Sequence, residues 1–508
     1  MGMEHLLLWL VTLPLIGALV CFALTDELSK YFALVVTLLG WVLAFFVYQG
    51  FDSAHATQLQ MVFNYPWLNS MGVSFGLGID GISFPLVILT KLMMPIAILA
   101  SFNEKKFMRF FMSCYLVLDS AMTGTFLATD MVLFYVFWEL MLIPMILLIG
   151  VWGSEQRVFA SVKFFIYTFA GSMLMLASIF YLFSQTHVQL GQYTGEIAAF
   201  TKLNFSPVEV FWGLNAEKLV FLGFFIAFAI KVPLFPLHTW LPDAHVQAPT
   251  GGSILLAAVL LKMGTYGLLR FAIPIAPNAF VEFSTCVAYL AIIGILYGAW
   301  VAYQQKDMKK LVAYSSVSHL GFCVLGICSM NTKGLTGSML QMVNHGITTG
   351  ALFLLVGMLY ERRHTKKFED YGGLAAIVPY FSILFVFVAC SSMGVPGLNG
   401  FVGEFLVFMG AFEANQTWAF VTVTGVVFGA LYTLTMVKKT LFGPVTNAEN
   451  RSLKDVTLKE WAAILPLCIL IVYLGLAPNS FLSKFNQSLD TYWAETLKKT
   501  ALDAGTVK

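Results

Sequence analysis

A chain of 508 residues that is 59% apolar and only 11% charged, with a mean hydropathy of +0.81, lies far from soluble domains, in which about a quarter of residues are charged. That composition excludes a soluble fold and predicts an all-α, polytopic membrane protein. A net charge of +2 gives no basis for a nucleic-acid partner.

The first apolar stretch follows Met-Gly-Met-Glu-His directly, without a basic leader or a small-residue cleavage site, and reads as a retained span suited to a bacterial inner membrane. A crossing helix needs about 20 mostly apolar residues, because lipid offers unpaired backbone groups no partner. On that rule spans fall near 5–24, 31–49, 80–101, 110–128, 131–151, 160–184 and 219–238. The remainder fall near 251–272, 280–303, 312–329, 337–360, 377–411, 418–437 and 461–479, fourteen in all, with only a polar tail beyond.

Loop charge sets the orientation. With both termini outside, the inner loops collect Lys30, then Lys105, Lys106 and Arg109, then Arg157 and Lys163, then Lys306, Lys309 and Lys310, then Arg362, Arg363, Lys366 and Lys367, then Lys438, Lys439, Arg451, Lys454 and Lys459. The outer loops and tail are sparser, with Lys202, Lys218, Arg270, Lys333, Lys484, Lys498, Lys499 and Lys508, and residues 50–79 have none. The seven cysteines form no C-x-x-C pair and read as free, buried apolar fillers, so neither a cofactor nor a metal is expected in this chain.

Ionisable groups inside a span cost about 2.5 to 3.5 kcal/mol each on insertion scales, so each asks for a reason. Glu139 lies in the fifth predicted span, Lys231 in the seventh, Lys262 in the eighth, His319 in the tenth, His345 in the eleventh and Glu404 in the twelfth. Singly, each has an ordinary explanation: Lys231 can snorkel, Glu139 can pair a buried lysine, and a lone membrane histidine is usually a packing residue. Together, on separate spans at similar depth, they predict a proton path. Burial favours the neutral forms of such groups and a nearby opposite charge restores the ionised ones, so a Glu139–Lys231 pair can switch the proton on Lys231. Lys91 either lines the path or snorkels, and is set aside; Asp119 has no partner assignable from sequence.

Two spans carry helix breakers, Lys231-Val232-Pro233-Leu234-Phe235-Pro236 and Gly394-Val395-Pro396-Gly397-Leu398-Asn399-Gly400. Irregular backbone at this depth is tolerated only where it is buried or lines a wet cavity, and a matched pair of interrupted spans points to inverted repeats around an ion path. The predicted units are 1–105 (helices 1–3), 106–272 (first inverted repeat, with broken helix 7), 273–441 (second, with broken helix 12) and 442–508 (a last helix and polar tail).

With these residues in view, the chain resembles the antiporter-like subunits of proton-pumping NADH:quinone oxidoreductase, respiratory complex I. The resemblance spans essentially the whole chain. Its carriers are Phe134 to Glu139, the long run Lys231 to His245, Ala248 to Ser253, Ala313 to His319 and Gly394 to Phe401. It implies that Glu139 and Lys231 are the family's pair, Lys262 its central lysine, His319 and His345 (with His238) connecting relays, and Glu404 the terminal group. Sister antiporter-like chains carry lysine at that last place. It also implies that NADH, FMN, iron–sulfur clusters and quinone belong to partner subunits, with sister chains on either side and lipid around. The alternatives are a subunit of a multi-chain cation/proton antiporter or membrane-bound hydrogenase, and a passive scaffold.

Overall fold

The computed structural model describes residues 2–506; Lys508 lies outside the described residues, as does the side chain of Lys499. It is built almost wholly of helices, eleven of them long and apolar enough to cross a membrane. Long and shorter helices together, the principal ones begin in chain order with α1 (Glu4–Ala23), α2 (Asp26–Gly50), α3 (Phe84–Leu99), α4 (Met108–Leu127), α5 (Met131–Trp152) and α6 (Arg157–Leu190). Then come α7 (Ala216–Lys231), α8 (Trp240–Gln247), α9 (Thr250–Ile275), α10 (Pro277–Tyr303), α11 (Met308–Cys328) and α12 (Thr332–Arg363). The chain ends in α13 (Pro379–Ser392), α14 (Asn399–Ala414), α15 (Gln416–Leu441), α16 (Leu458–Leu476) and α17 (Asn486–Thr506).

Polar caps mark where helices start. Asp130, Asn215, Asp307, Asn331 and Asn415 each accept a backbone N–H of the following first turn, and Thr457 with Glu460 forms a capping box. These satisfy donors that lipid could not. The interhelical segments gather at two separate faces. Ser154 N–H donates to Gln247 O (3.0 Å) and Met308 N–H to Lys366 O (2.9 Å) at one; Met131 N–H donates to Gly195 O (2.7 Å) and Gly195 N–H to Gly72 O (3.1 Å) at the other. The second face also carries the antiparallel hairpin β1 (Gln60–Leu68) and β2 (Val73–Ile79).

Helices α9 and α12 are enclosed by protein over their apolar length, whereas α1, α2, α15 and α16 present most of theirs outward. The charged residues of the spans therefore have somewhere dry and crowded to sit.

Three expectations change. The segment after residue 479 is not merely a polar tail: α17 packs Leu489 and Trp493 inward, and Ser488 Oγ donates to Ala56 O (2.5 Å). Alternating polar and apolar residues concealed that helix because its apolar face is narrow. Cys286 is exposed rather than a buried filler, since it lies on a face of α10 that meets no neighbour. Lys91 neither snorkels nor joins the path. Its Nζ meets Asp119 Oδ1 at 2.8 Å and Leu10 O at 2.8 Å, with both charged side chains wholly buried, so the two unassigned charges form one ion pair joining α1, α3 and α4.

Candidate functional site

The seventh predicted span breaks where its prolines require. Helix α7 ends at Lys231, and the chain re-enters a helix only at Trp240. The carbonyls freed at the buried end of α7 are partly satisfied by Trp240, whose indole N–H donates to Ile230 O (2.9 Å). Lys163 of α6 grips the same break, donating to Thr239 O (2.9 Å) and to Asp243 Oδ2 (2.7 Å).

Lys231 is buried, and its Nζ has no hydrogen-bond partner among the described residues. It rests instead over aromatic faces, 5.1 Å from the Trp138 ring centre and 5.8 Å from that of Phe164. Glu139 is half-buried, with Tyr135 beside its carboxylate, and its Oε1 has no hydrogen-bond partner among the described residues. The expected Glu139–Lys231 pair is thus not a contact ion pair in this structure, although the carboxylate is near enough to act on the ammonium through space. The regular helix of α5 is interrupted at Met141, two residues past Glu139. Pro144 accounts for this, because it cannot donate to Leu140 O.

Lys262 lies at the centre of α9 between two π-helical stretches, Leu256–Leu260 and Leu268–Ala272. Such bulges free backbone acceptors. Lys262 Nζ uses one of them, donating to Ala257 O, and meets His345 Nδ1 at 2.5 Å. The His345 ring centre is 5.7 Å from that of His319, and His319 Nδ1 lies 2.9 Å from Glu404 Oε1. Lys262, His345, His319 and Glu404 therefore form one buried line across α9, α12, α11 and α14.

The second break, from Met393 to Leu398 between α13 and α14, is held by polar side chains. Gly394 (φ +72°) and Gly397 (φ +92°) adopt the left-handed conformation that favours glycine. Asn399 Oδ1 accepts from Ser391 Oγ (2.6 Å) and Thr348 Oγ1 (3.3 Å), and Asn344 Nδ2 donates to Asn399 O (2.6 Å). Gln341 Nε2 donates to Glu404 Oε1 (3.2 Å).

His238 lies apart from this line. It is buried beside the first break, its ring 5.1 Å from that of Tyr297, and its Nδ1 has no hydrogen bond of good geometry among the described residues. Two groups that sequence reasoning passed over belong here. His245, fully buried and stacked 4.4 Å from the Phe353 ring, leaves both ring nitrogens without a partner. It sits one helix turn from Ala248, which accepts from Lys309 (2.5 Å) at the edge of a broad polar vestibule. Gln341 and Asn344 were also missed, although with His345 and Thr348 they stand at i, i+3, i+4 and i+7, a polar stripe along one face of α12.

Residues 128–429 match the family described as "NADH:quinone oxidoreductase/Mrp antiporter, TM", and residues 10–125 match "NADH-ubiquinone oxidoreductase chain 4, amino terminus". A curated relative from Rickettsia bellii, NADH-quinone oxidoreductase subunit M, is 40% identical over 94% of this chain and 97% of its own length. Among solved structures, a chain of respiratory complex I from Thermus thermophilus superposes with a TM-score of 0.86 at 32% identity, over 96% of this chain and 99% of that one. A chain of the Mrp complex from Dietzia sp. DQ12-45-1b reaches 0.84 at 21% identity, over 97% of each, a likeness of fold alone.

Proposed function

Because the chain belongs to the NADH:quinone oxidoreductase/Mrp antiporter membrane-subunit family, and within it stands with the subunit M chains, we propose that Glu139, Lys231, Lys262 and Glu404 are the groups through which it moves protons. The protein is a proton-translocating membrane subunit of NADH:quinone oxidoreductase. His345 adjoins Lys262, His319 adjoins Glu404 in the same buried line, His238 stands beside the first break, and His245 adds a buried imidazole near the vestibule lined by Ala248 and Lys309. What supports this reading most is the buried line of hydrogen bonds and close rings from Lys262 to Glu404.

The energetics are adequate. Moving one charge against 100 mV costs about 2.3 kcal/mol. Two opposite charges brought to 4 Å at an effective dielectric of 20 gain about 4 kcal/mol, so forming or breaking one Glu139–Lys231 contact is enough to drive a single transfer. Among the described residues Lys231 Nζ and Glu139 Oε1 have no hydrogen-bond partner, so each has an atom available for that contact.

Other membrane subunits of complex I are its partners, with sister antiporter-like chains on either side and lipid around, in a bacterial inner membrane. NADH, FMN, iron–sulfur clusters and quinone belong to those partners. The two breaks in α7/α8 and α13/α14 suit two inverted repeats, 106–272 and 273–441, flanked by 1–105 and 442–508.

The test is Lys262→Met in the intact assembly, reconstituted into vesicles. Assembly is retained while the protons translocated per NADH oxidised fall; normal pumping by the fully assembled variant refutes the proton path. Co-purification of flavin and iron–sulfur subunits with the tagged chain separates this function from a role in a free-standing cation antiporter.

A further inference from the structure

Both ring nitrogens of His319 are engaged. Nδ1 lies 2.9 Å from Glu404 Oε1, and Nε2 lies 3.2 Å from the Tyr432 hydroxyl. With Nδ1–H donating to the carboxylate and Nε2 accepting from the phenol, the ring has no nitrogen left for His345. His345 meets Lys262 through Nδ1, and its Nε2 has no partner among the described residues.

His345 lines a small cavity beside Glu404, with room for a single water-sized particle. Gln341 and Asn344 line it too, and their Oε1 and Oδ1 are also buried without partners. The orientation of both amides is fixed by their nitrogens, which donate to Glu404 Oε1 (3.2 Å) and Asn399 O (2.6 Å), so the oxygens are the atoms left over. Three orphaned polar atoms around one small cavity match a water: it accepts from His345 Nε2–H and donates to the amide oxygens or to Glu404.

We propose that protons pass from His345 to Glu404 through one water held by Gln341 and Asn344, and that His319 is a positioning residue that holds Glu404 rather than a carrier. This deepens the proton path above and rests on it. The Lys262 ammonium gives a proton to His345 Nδ1. The Nε2–H bond breaks as its proton passes to the water, and a proton of the water passes to the Glu404 carboxylate. Neutral lysine and carboxylic acid result, with no change of oxidation state. The imidazole is left in its Nδ1–H tautomer and regains Nε2–H before the next transfer.

The experiment compares variants of the intact complex in vesicles, scoring protons translocated per NADH oxidised and the amount of assembled complex. Gln341→Leu and Asn344→Leu lower translocation by about 100-fold, the low end for one positioned proton-transfer group. Gln341→Glu, which keeps an oxygen towards the cavity, restores part of it. His319→Gln still donates to Glu404 but cannot carry a proton as imidazole does, and slows translocation only several-fold. Loss of translocation in assembled His319→Gln overturns the proposal, whatever the amide variants do. So does near-normal translocation in both leucine variants while Lys262→Met is blocked. Normal translocation in Lys262→Met refutes the underlying path instead, and so is distinguishable.

Discussion

The two helix breaks solve the same problem in opposite ways. At the first, Lys231 stands at the end of α7 with no hydrogen bond among the described residues, resting on the Trp138 and Phe164 rings, and Glu139 leaves its Oε1 without a partner. At the second, Glu404 is held by an imidazole and an amide, and the broken backbone is tied by Asn344, Asn399, Ser391 and Thr348. Unpaired buried charges are expensive, so the first break has the steeper incentive to rearrange when a neighbouring charge changes. At the second the Glu404 carboxylate is already hydrogen-bonded, which suits a terminus that receives a proton in place. The Lys91–Asp119 pair marks the far limit of this scale, in direct contact and wholly buried, a fixed joint rather than a moving part.

The harshest way to break the comparison is to neutralise the loose end. Lys231→Met or Glu139→Gln lowers proton translocation by about 100-fold or more while the assembly persists, measured as protons moved per NADH oxidised in vesicles. A passive scaffold would leave that ratio unchanged. Next in size is the fixed pair. Lys91→Met alone leaves Asp119 buried and unpaired and costs about 3 to 5 kcal/mol, read as loss of thermal stability of the assembled complex. Lys91→Met with Asp119→Leu regains most of that stability, as replacing a whole buried pair by apolar groups is often neutral. If the double variant is stable but does not pump, the pair is a moving part after all.

Packing beside the first break gives a smaller effect. Helix α9 approaches the end of α7 so closely that a Cβ on Gly264 would lie 2.6 Å from Phe228 O and 2.8 Å from Val232 N. Backbone cannot step aside as a flexible side chain can. Gly264→Ala therefore costs about 1 to 3 kcal/mol of overpacking, visible as a lower unfolding temperature.

Much of this was legible in the sequence, and the reasons differ by feature. The apolar runs, the prolines and glycines at both breaks, and the intramembrane charges are properties of single residues or short windows, and the helices and the interruptions at Lys231 and Met393 follow them. What composition could not supply was pairing. Lys91 and Asp119 lie far apart in the chain, so only the packing of α3 against α4 shows that each is the other's answer. The π-helical turns around Lys262 leave no sequence mark, because Leu-Ala-Ala-Val-Leu suits an ordinary helix equally well. Gln341 and Asn344 were readable in principle as a polar stripe, but charged groups drew attention first. The short amides matter only because α12 meets the second break there, and Gly403 has no side chain to hold them off.

The smallest expected effect tests the tight end of the comparison. Tyr432→Phe removes the hydroxyl that meets His319 Nε2 at 3.2 Å and leaves the His319–Glu404 hydrogen bond untouched. A buried hydrogen bond contributes about 0.5 to 1.5 kcal/mol net, so stability falls slightly and His319 becomes freer to tilt. If His319 only holds Glu404, translocation slows by several-fold at most, because Gln341 still donates to the carboxylate. If the proton instead runs through the imidazole, Nε2 is the atom that must receive it from the His345 side. Releasing that nitrogen from Tyr432 would then speed transfer, and a faster Tyr432→Phe complex would put His319 back on the route.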